Sequence, residues 1–185
     1  MIQKLVLSVL GKDRPGIVAK VSASLAALGC NIEDCSQTIL QTEFAAIFII
    51  SNREARSVAE VERSLRQELE VDGLTARVKP MEENGGSSVS AASFPFVVTT
   101  TGPDRIGMIA ALSGAMAELS CNINNFRAIV RCDRKREEMV TIFEISLPAA
   151  VDLKTLKERL ETVARRYDLE VSVQHSAIFE ATNKI

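Results

Sequence analysis

The chain has 185 residues, 46% apolar and 25% charged, with a formal net charge of −2 at pH 7. That balance excludes a concentrated basic face for direct duplex binding, and no apolar run reaches membrane-spanning length. Four cysteines, at 30, 35, 121 and 132, fit no zinc spacing, and the one histidine, His175, cannot complete a site in each half. Free thiols in a reducing compartment, and no metal or cofactor, are the expectation.

The first residues, MIQKLVLSVLGKDRPG, carry a lysine and an apolar stretch but run into a charged loop with no small-residue cleavage site. They match FPFVVTTTGPDRIG further on, which predicts a folded strand, not a signal peptide, and a cytoplasmic protein. The match continues. Residues 11–32, GKDRPGIVAKVSASLAALGCNI, recur at 102–123 as GPDRIGMIAALSGAMAELSCNI, identical at eleven of twenty-two positions with an offset of 91. A repeat of this length means one domain used twice.

The elements follow in order. Leu5-Val6-Leu7 and Phe96-Val97-Val98 are β-rich and precede the glycine loop, so each is a first strand. Ile17, Val21, Leu25 and Leu28 fall at helical spacing, as do Met108, Leu112, Met116 and Leu119. Gly29 stops the helix, and Asn31-Ile32 opens the second strand. Beyond it Phe48 matches Phe143 and Leu65 matches Leu160 at an offset of 95, so the second half carries four extra residues. They fall around Asp133-Arg134-Lys135-Arg136, where a hairpin tip tolerates insertion. A second amphipathic helix follows, on Val58, Val61, Leu65 and Leu69 and on Leu153, Leu156, Leu160 and Val163. Last strands are predicted near 73–80 and 169–178.

The order in each half is β-α-β-β-α-β. It predicts an α+β fold of two ferredoxin-like domains, each an antiparallel four-stranded sheet with its helices on one face. The small and polar run from Glu82 through Ser93 reads as a linker, giving domains 1–81 and 94–185.

The loop Gly11-Lys12-Asp13-Arg14-Pro15-Gly16-Ile17 joins first strand to first helix. Pro15 suits a first helical turn and Asp13 an N-cap, and a helix N-terminus with bare amides seats a carboxylate. Asp13 and Gly16 equally fit plain capping and packing. A phosphate loop is excluded, because Ile17-Val18 and Met108-Ile109 stand where Lys and Ser/Thr are required. In the second copy Ile106 replaces Pro15 and a proline moves to 103. Arg14 and Arg105 fit either a ligand carboxylate or solvent, and Asn31 and Asn122 either a ligand or a turn.

The spacing GxDRPG…GCNI resembles the ACT domain, a module that senses small molecules and regulates amino-acid metabolism. The resemblance covers nearly the whole chain as two tandem copies. Within that family the GKDRPGIV, GCNIED and TEF segments are most similar to repressors of the glycine cleavage system, with related modules in formyltetrahydrofolate deformylase and phosphoserine phosphatase. It implies that a small amino acid, glycine or similar, binds at an interface between paired domains. The loop amides would hold its carboxylate and the asparagine its polar groups. Carried over, the site is Asp13, Arg14, Pro15, Gly16, Ile17, Asn31 and Ile32, with Asp104, Arg105, Gly107, Met108, Asn122 and Ile123 as its second copy.

For catalysis, a nucleophile, a base and an orienting group are required. His175 has no counterpart in the first half, and Cys30, repeated as Cys121, suits packing, so no enzyme activity is expected. Arg131, Arg134, Lys135 and Arg136 are flanked by Asp133, Glu137 and Glu138, which suits a solvated hairpin tip or a protein contact better than nucleic acid. The expected protein is a regulator acting on a protein partner, by resemblance a transcriptional activator, and possible self-association is left open. The alternatives are a regulatory subunit of a metabolic enzyme and a dimerisation module without ligand.

Overall fold

Alternation in the first strand sets up everything that follows. In β1 (Gln3–Lys12) Leu5, Leu7 and Val9 are buried while Ser8 and Leu10 are exposed, so one face is committed to a core and the other is not. The computed structural model describes residues 3–52, 54, 56–82, 92–133 and 136–182. It divides into two compact units, Met1–Gly85 and Gly86–Ile185. The run read as a linker lies mostly outside the described residues, and its last residue, Ser93, already belongs to a strand.

In the first unit β1 is followed by α1 (Ile17–Ala27), β2 (Cys30–Leu40), β3 (Glu43–Asn52), α2 (Val58–Glu70) and β4 (Thr75–Pro80). The sheet order is β2-β3-β1-β4, with every pairing antiparallel. Phe44, Phe48 and Ile50 of β3 face the same core as Leu5 and Leu7, and Val21 and Leu25 of α1 and Val61, Leu65 and Leu69 of α2 close it. Helix α2 starts at a capping box, Ser57 with Glu60, which satisfies two backbone donors reciprocally.

The second unit repeats the plan with β5 (Ser93–Gly102), α3 (Met108–Glu118), β6 (Asn122–Asp133), β7 (Arg136–Pro148), α4 (Leu153–Tyr167) and β8 (Glu170–His175), in sheet order β6-β7-β5-β8. Phe143, Ile145, Met116, Leu112, Leu156 and Leu160 form its core. The fold is the expected α+β pair of βαββαβ units.

The four extra residues lengthen the β6–β7 hairpin. Leu40↔Glu43 closes the first hairpin, whereas Arg131↔Glu138 is followed by two further pairs, Cys132↔Glu137 and Asp133↔Arg136. Residues 134 and 135 of the proposed basic tip lie outside the described residues. Each edge strand also carries a β-bulge at the same place in the repeat, between Ile32 and Asp34 and between Ile123 and Asn125.

One boundary needs correction. The last strand does not run to 178: β8 ends at His175, and Ser176–Thr182 forms a short helix, α5. His175 starts that helix, its Nδ1 accepting the Ala177 amide at 3.3 Å while its ring stands edge-on to Phe96, centroids 5.4 Å apart.

Candidate functional site: the paired strand-to-helix loops

Gly11 ends in contact with the turn before β4. A side chain there would meet Leu74 Cδ2 at 2.7 Å and the Gly73 carbonyl oxygen at 2.9 Å, and at Gly102 the Asp168 carbonyl and Leu169 Cδ2 at 2.7 and 2.8 Å. The first loop glycine is therefore a packing residue that presses the loop onto the neighbouring turn. The Asp13 amide adds a bond to the Thr42 carbonyl, 2.7 Å.

Helix entry differs from the expectation. Asp13 is not the N-cap and Pro15 is not in the first turn; both precede Gly16, which is the N-cap. Gly16 sits at φ 95 and Gly107 at φ 89, the left-handed region that a side chain disfavours. Neither α1 nor α3 has a side-chain cap bond or an acidic residue in its first turn. A glycine cap supplies no side-chain acceptor to the first-turn amides at the positive end of the helix dipole, although in α3 the Met108 amide donates to the Arg105 carbonyl at 3.2 Å. Ile17 and Met108 are buried beneath them, which fixes the helix start. Helix N-termini in general favour a negative charge. Asp13 and Asp104 are exposed in the loops, and Ile106 is fully exposed where the first loop has Pro15.

The two arginines are engaged. Arg14 Nη2 lies 2.9 Å from Asp72 Oδ1, and Arg105 Nη2 lies 3.8 Å from Asp168 Oδ2. Both side chains thus face solvent as half-exposed members of ion pairs. Under the offset of 95, Asp168 aligns with Gly73 and not with Asp72, so the acceptor has moved by one residue between copies.

Asn31 and Asn122 are exposed at the opposite end of their sheets. Asn31 pairs across β3 with Ser51, which pairs with Lys4, whereas Gly11 is aligned with Phe44 near the far end of the same strand. Seven residues of β-strand separate the two levels, about 23 Å. Within one unit the structure therefore brings Asp13, Arg14, Pro15, Gly16 and Ile17 together and keeps Asn31 and half-buried Ile32 apart from them; the second copy is split alike, with Asn122 and Ile123 away from Asp104, Arg105, Gly107 and Met108. The asparagines bond locally: Asn31 Nδ2 to the Ile32 carbonyl at 3.3 Å, and Asn122 Nδ2 to Asn124 Oδ1 at 2.6 Å. Asn124, the residue in the bulge, hands on a bond to Ser146 Oγ at 2.8 Å.

Sequence reasoning missed the Asp72 and Asp168 partners, which no motif marks. It also missed the bulges, although the shared hairpin offset carries them in both copies.

No group of three or more potential metal ligands occurs among the described residues. No helix among them is long and apolar enough to cross a membrane.

Comparison with known proteins agrees with the fold. A UPF0237 protein of Streptococcus mutans is 43% identical over 76 residues, 41% of this chain and 82% of its own length. One from Corynebacterium glutamicum is 33% identical over 90 residues, 48% of this chain and 97% of its own. Two solved structures share the fold over both units. A protein of unknown function from Galdieria sulphuraria superposes with a TM-score of 0.74 at 21% identity, covering 95% of this chain and 99% of that one. A protein provisionally described as a glycine cleavage system transcriptional repressor superposes with a TM-score of 0.68 at 20% identity, covering 94% and 97%. The model of the ACT domain matches residues 3–79 and again 95–174, and the chain belongs to the ACT-domain family as a tandem pair.

Proposed function

We propose that this chain is a non-catalytic regulator that binds a small amino acid, glycine before others, and passes that signal to a transcriptional activator of amino-acid metabolism by protein contact. The observation that carries the reading is the pair of helix N-termini opened by left-handed Gly16 and Gly107 without a side-chain cap, α1 being the freer of the two because the Met108 amide of α3 is bonded to the Arg105 carbonyl. Because loop and asparagine stand at opposite ends of one unit, the reading has the loop of one ACT unit face the Asn31 or Asn122 end of another. A cytoplasmic, self-associating protein belongs to the same reading. The choice of partner rests on the resemblance of the GKDRPGIV, GCNIED and TEF segments to repressors of the glycine cleavage system. Ligand must favour one arrangement of units over another, or it shifts nothing.

Calorimetric titration with glycine, then serine and alanine, tests it. Saturable heat is expected, and Asp13→Ala with Asn31→Ala should abolish the first site while leaving unfolding cooperative, since both side chains are exposed. Unchanged affinity in that double variant rejects the first site. No heat with any of the three, with an unmoved melting temperature, rejects the reading.

A further inference from the structure

The helix-free face of the first sheet is hollow. Its centre is lined by Ser8 and Leu10 of β1, Ala45 and Ile47 of β3, Ser36 of β2 and Arg77 of β4, around a cavity of about 450 Å³. A second hollow of about 440 Å³ adjoins it, sharing Ser8, Ile47 and Arg77 and adding Val6 and Lys79. Leu10 and Ile47 are each 54% exposed along this trough.

The lining of the hollow is not kept in the second copy. At the corresponding positions of the second unit Ser8 is Thr99, Ala45 is Val140, Ser36 is Arg127 and Thr75 is Glu170. Those four side chains are the smaller in the first unit, whereas Leu10, Gln37 and Arg77 are larger than their counterparts Thr101, Ala128 and Ser172, so the two units line this face differently. Nothing in the loop chemistry requires the trough.

Its charge selects an occupant. No carboxylate lines the larger hollow, and its one ionised group is Arg77. Arg77 Nη1 bonds Glu62 Oε1 at 2.9 Å, and its side chain is 74% exposed, so the rest of the planar fork is accessible. Lys79 stands two residues along β4 on the same face. Together the hollows present two cations against the single carboxylate of Glu62, all at the β4 side, over an apolar floor. Ligand cavities are typically about 300–1,000 Å³, mostly apolar, with few polar groups.

We propose that this trough is a second binding site, distinct from the strand-to-helix loops, for a small amphiphilic monocarboxylate. An aliphatic or aromatic body lies over Ala45, Ile47 and Leu10, and the carboxylate is held by Arg77 with Lys79 beside it.

The test is amide chemical-shift titration of the full chain with octanoate, with octanamide as the uncharged control. Octanoate should move β1, β3 and β4 amides saturably, Arg77→Gln should weaken it about tenfold, and Ser36→Arg with Ala45→Val should abolish it. Should Ala45→Val unfold the protein, Ser36→Arg alone, on an exposed edge-strand position, serves. Asp13→Ala with Asn31→Ala should leave octanoate binding unchanged, which separates this site from the glycine reading. Absence of saturable shifts, equal response to octanamide, or indifference to Arg77→Gln overturns the proposal. So does a concentration-dependent dimer that Ser36→Arg dissociates, which would make the face a contact between copies.

Discussion

Arg14 grips Asp72 twice: its Nη2 lies 2.9 Å from the carboxylate and 3.2 Å from the backbone carbonyl of the same residue. The first loop is thereby fastened to the turn between α2 and β4. In the second unit the Arg105 guanidinium lies 3.8 Å from the Asp168 carboxylate, so its side chain fastens that loop less tightly. Arg14→Ala should cost only about 0–1 kcal/mol of global stability, because the pair is exposed. Local exchange of the amides around Asp13 should rise clearly more than Arg105→Ala raises exchange around Asp104. Hydrogen-exchange mass spectrometry reads both, and equal responses would contradict the difference in grip.

The hydroxyls of Thr100 and Thr141 are 2.6 Å apart and fully buried, at the positions that Val9 and Ala46 occupy in the first unit. Thr141→Ala strands the Thr100 hydroxyl and should cost about 1–3 kcal/mol in urea unfolding. Thr100→Val combined with Thr141→Ala restores the pairing of the first unit and should recover most of that loss. A double variant no better than the single one would show that the hydroxyl pair is not the cause.

Ser57 accepts the Glu60 amide at 3.3 Å, and Glu60 Oε2 accepts the Ser57 amide at 2.8 Å. Ser57→Ala should destabilise the first unit by about 1 kcal/mol. Hydrogen bonds from the Ser57 side chain and then its backbone hold the Glu60 carboxyl below its ordinary value. A lowered folded value means that the contribution is complete above the unfolded value and disappears as pH falls through the folded one. The difference between wild type and Ser57→Ala should therefore shrink in acid. A difference that stays constant to the lowest pH at which the protein folds would remove the carboxylate from the cap.

Cys30 and Cys121 are buried, with Sγ 3.9 Å from the Leu28 and Leu119 carbonyls, and burial raises both thiols. At Cys30 Arg56 pulls the other way and Glu54 adds to burial, which dominates. Cys35 is exposed, its thiol raised less by charge than by the desolvation of its strand position. Iodoacetamide at neutral pH should label Cys35 well before Cys30 or Cys121, by peptide mass mapping, and unfolding should level the three. Early labelling of Cys30 would mean that the helix-to-strand junction opens readily.

The fold was legible because two copies of one pattern check each other: Leu65 against Leu160, Phe48 against Phe143, a shared glycine at each loop. The site was legible only in part. Residue type and spacing mark a loop that ends at a helix, but not which residue caps it. Asp13 fits a cap by chemistry, and the left-handed backbone at Gly16 takes the place instead. Nor does sequence show strand register, and it is register that sets Asn31 far from the loop within one unit. Helix α5 went unseen because Ser176-Ala177-Ile178-Phe179 extends an apolar run that suits strand or helix.

The bulges and the longer hairpin have a joint consequence at the sheet edges. Strands β2 and β6 are sheet edges, and each bulge interrupts the row of outward amides and carbonyls near the strand's start. The unbroken template runs from Asp34 to Leu40 in one copy and from Asn125 to Asp133 in the other. Duplication has thus left one chain with two sheet edges of unequal length. The second presents the longer row of backbone donors and acceptors, the feature that makes an edge strand a liability.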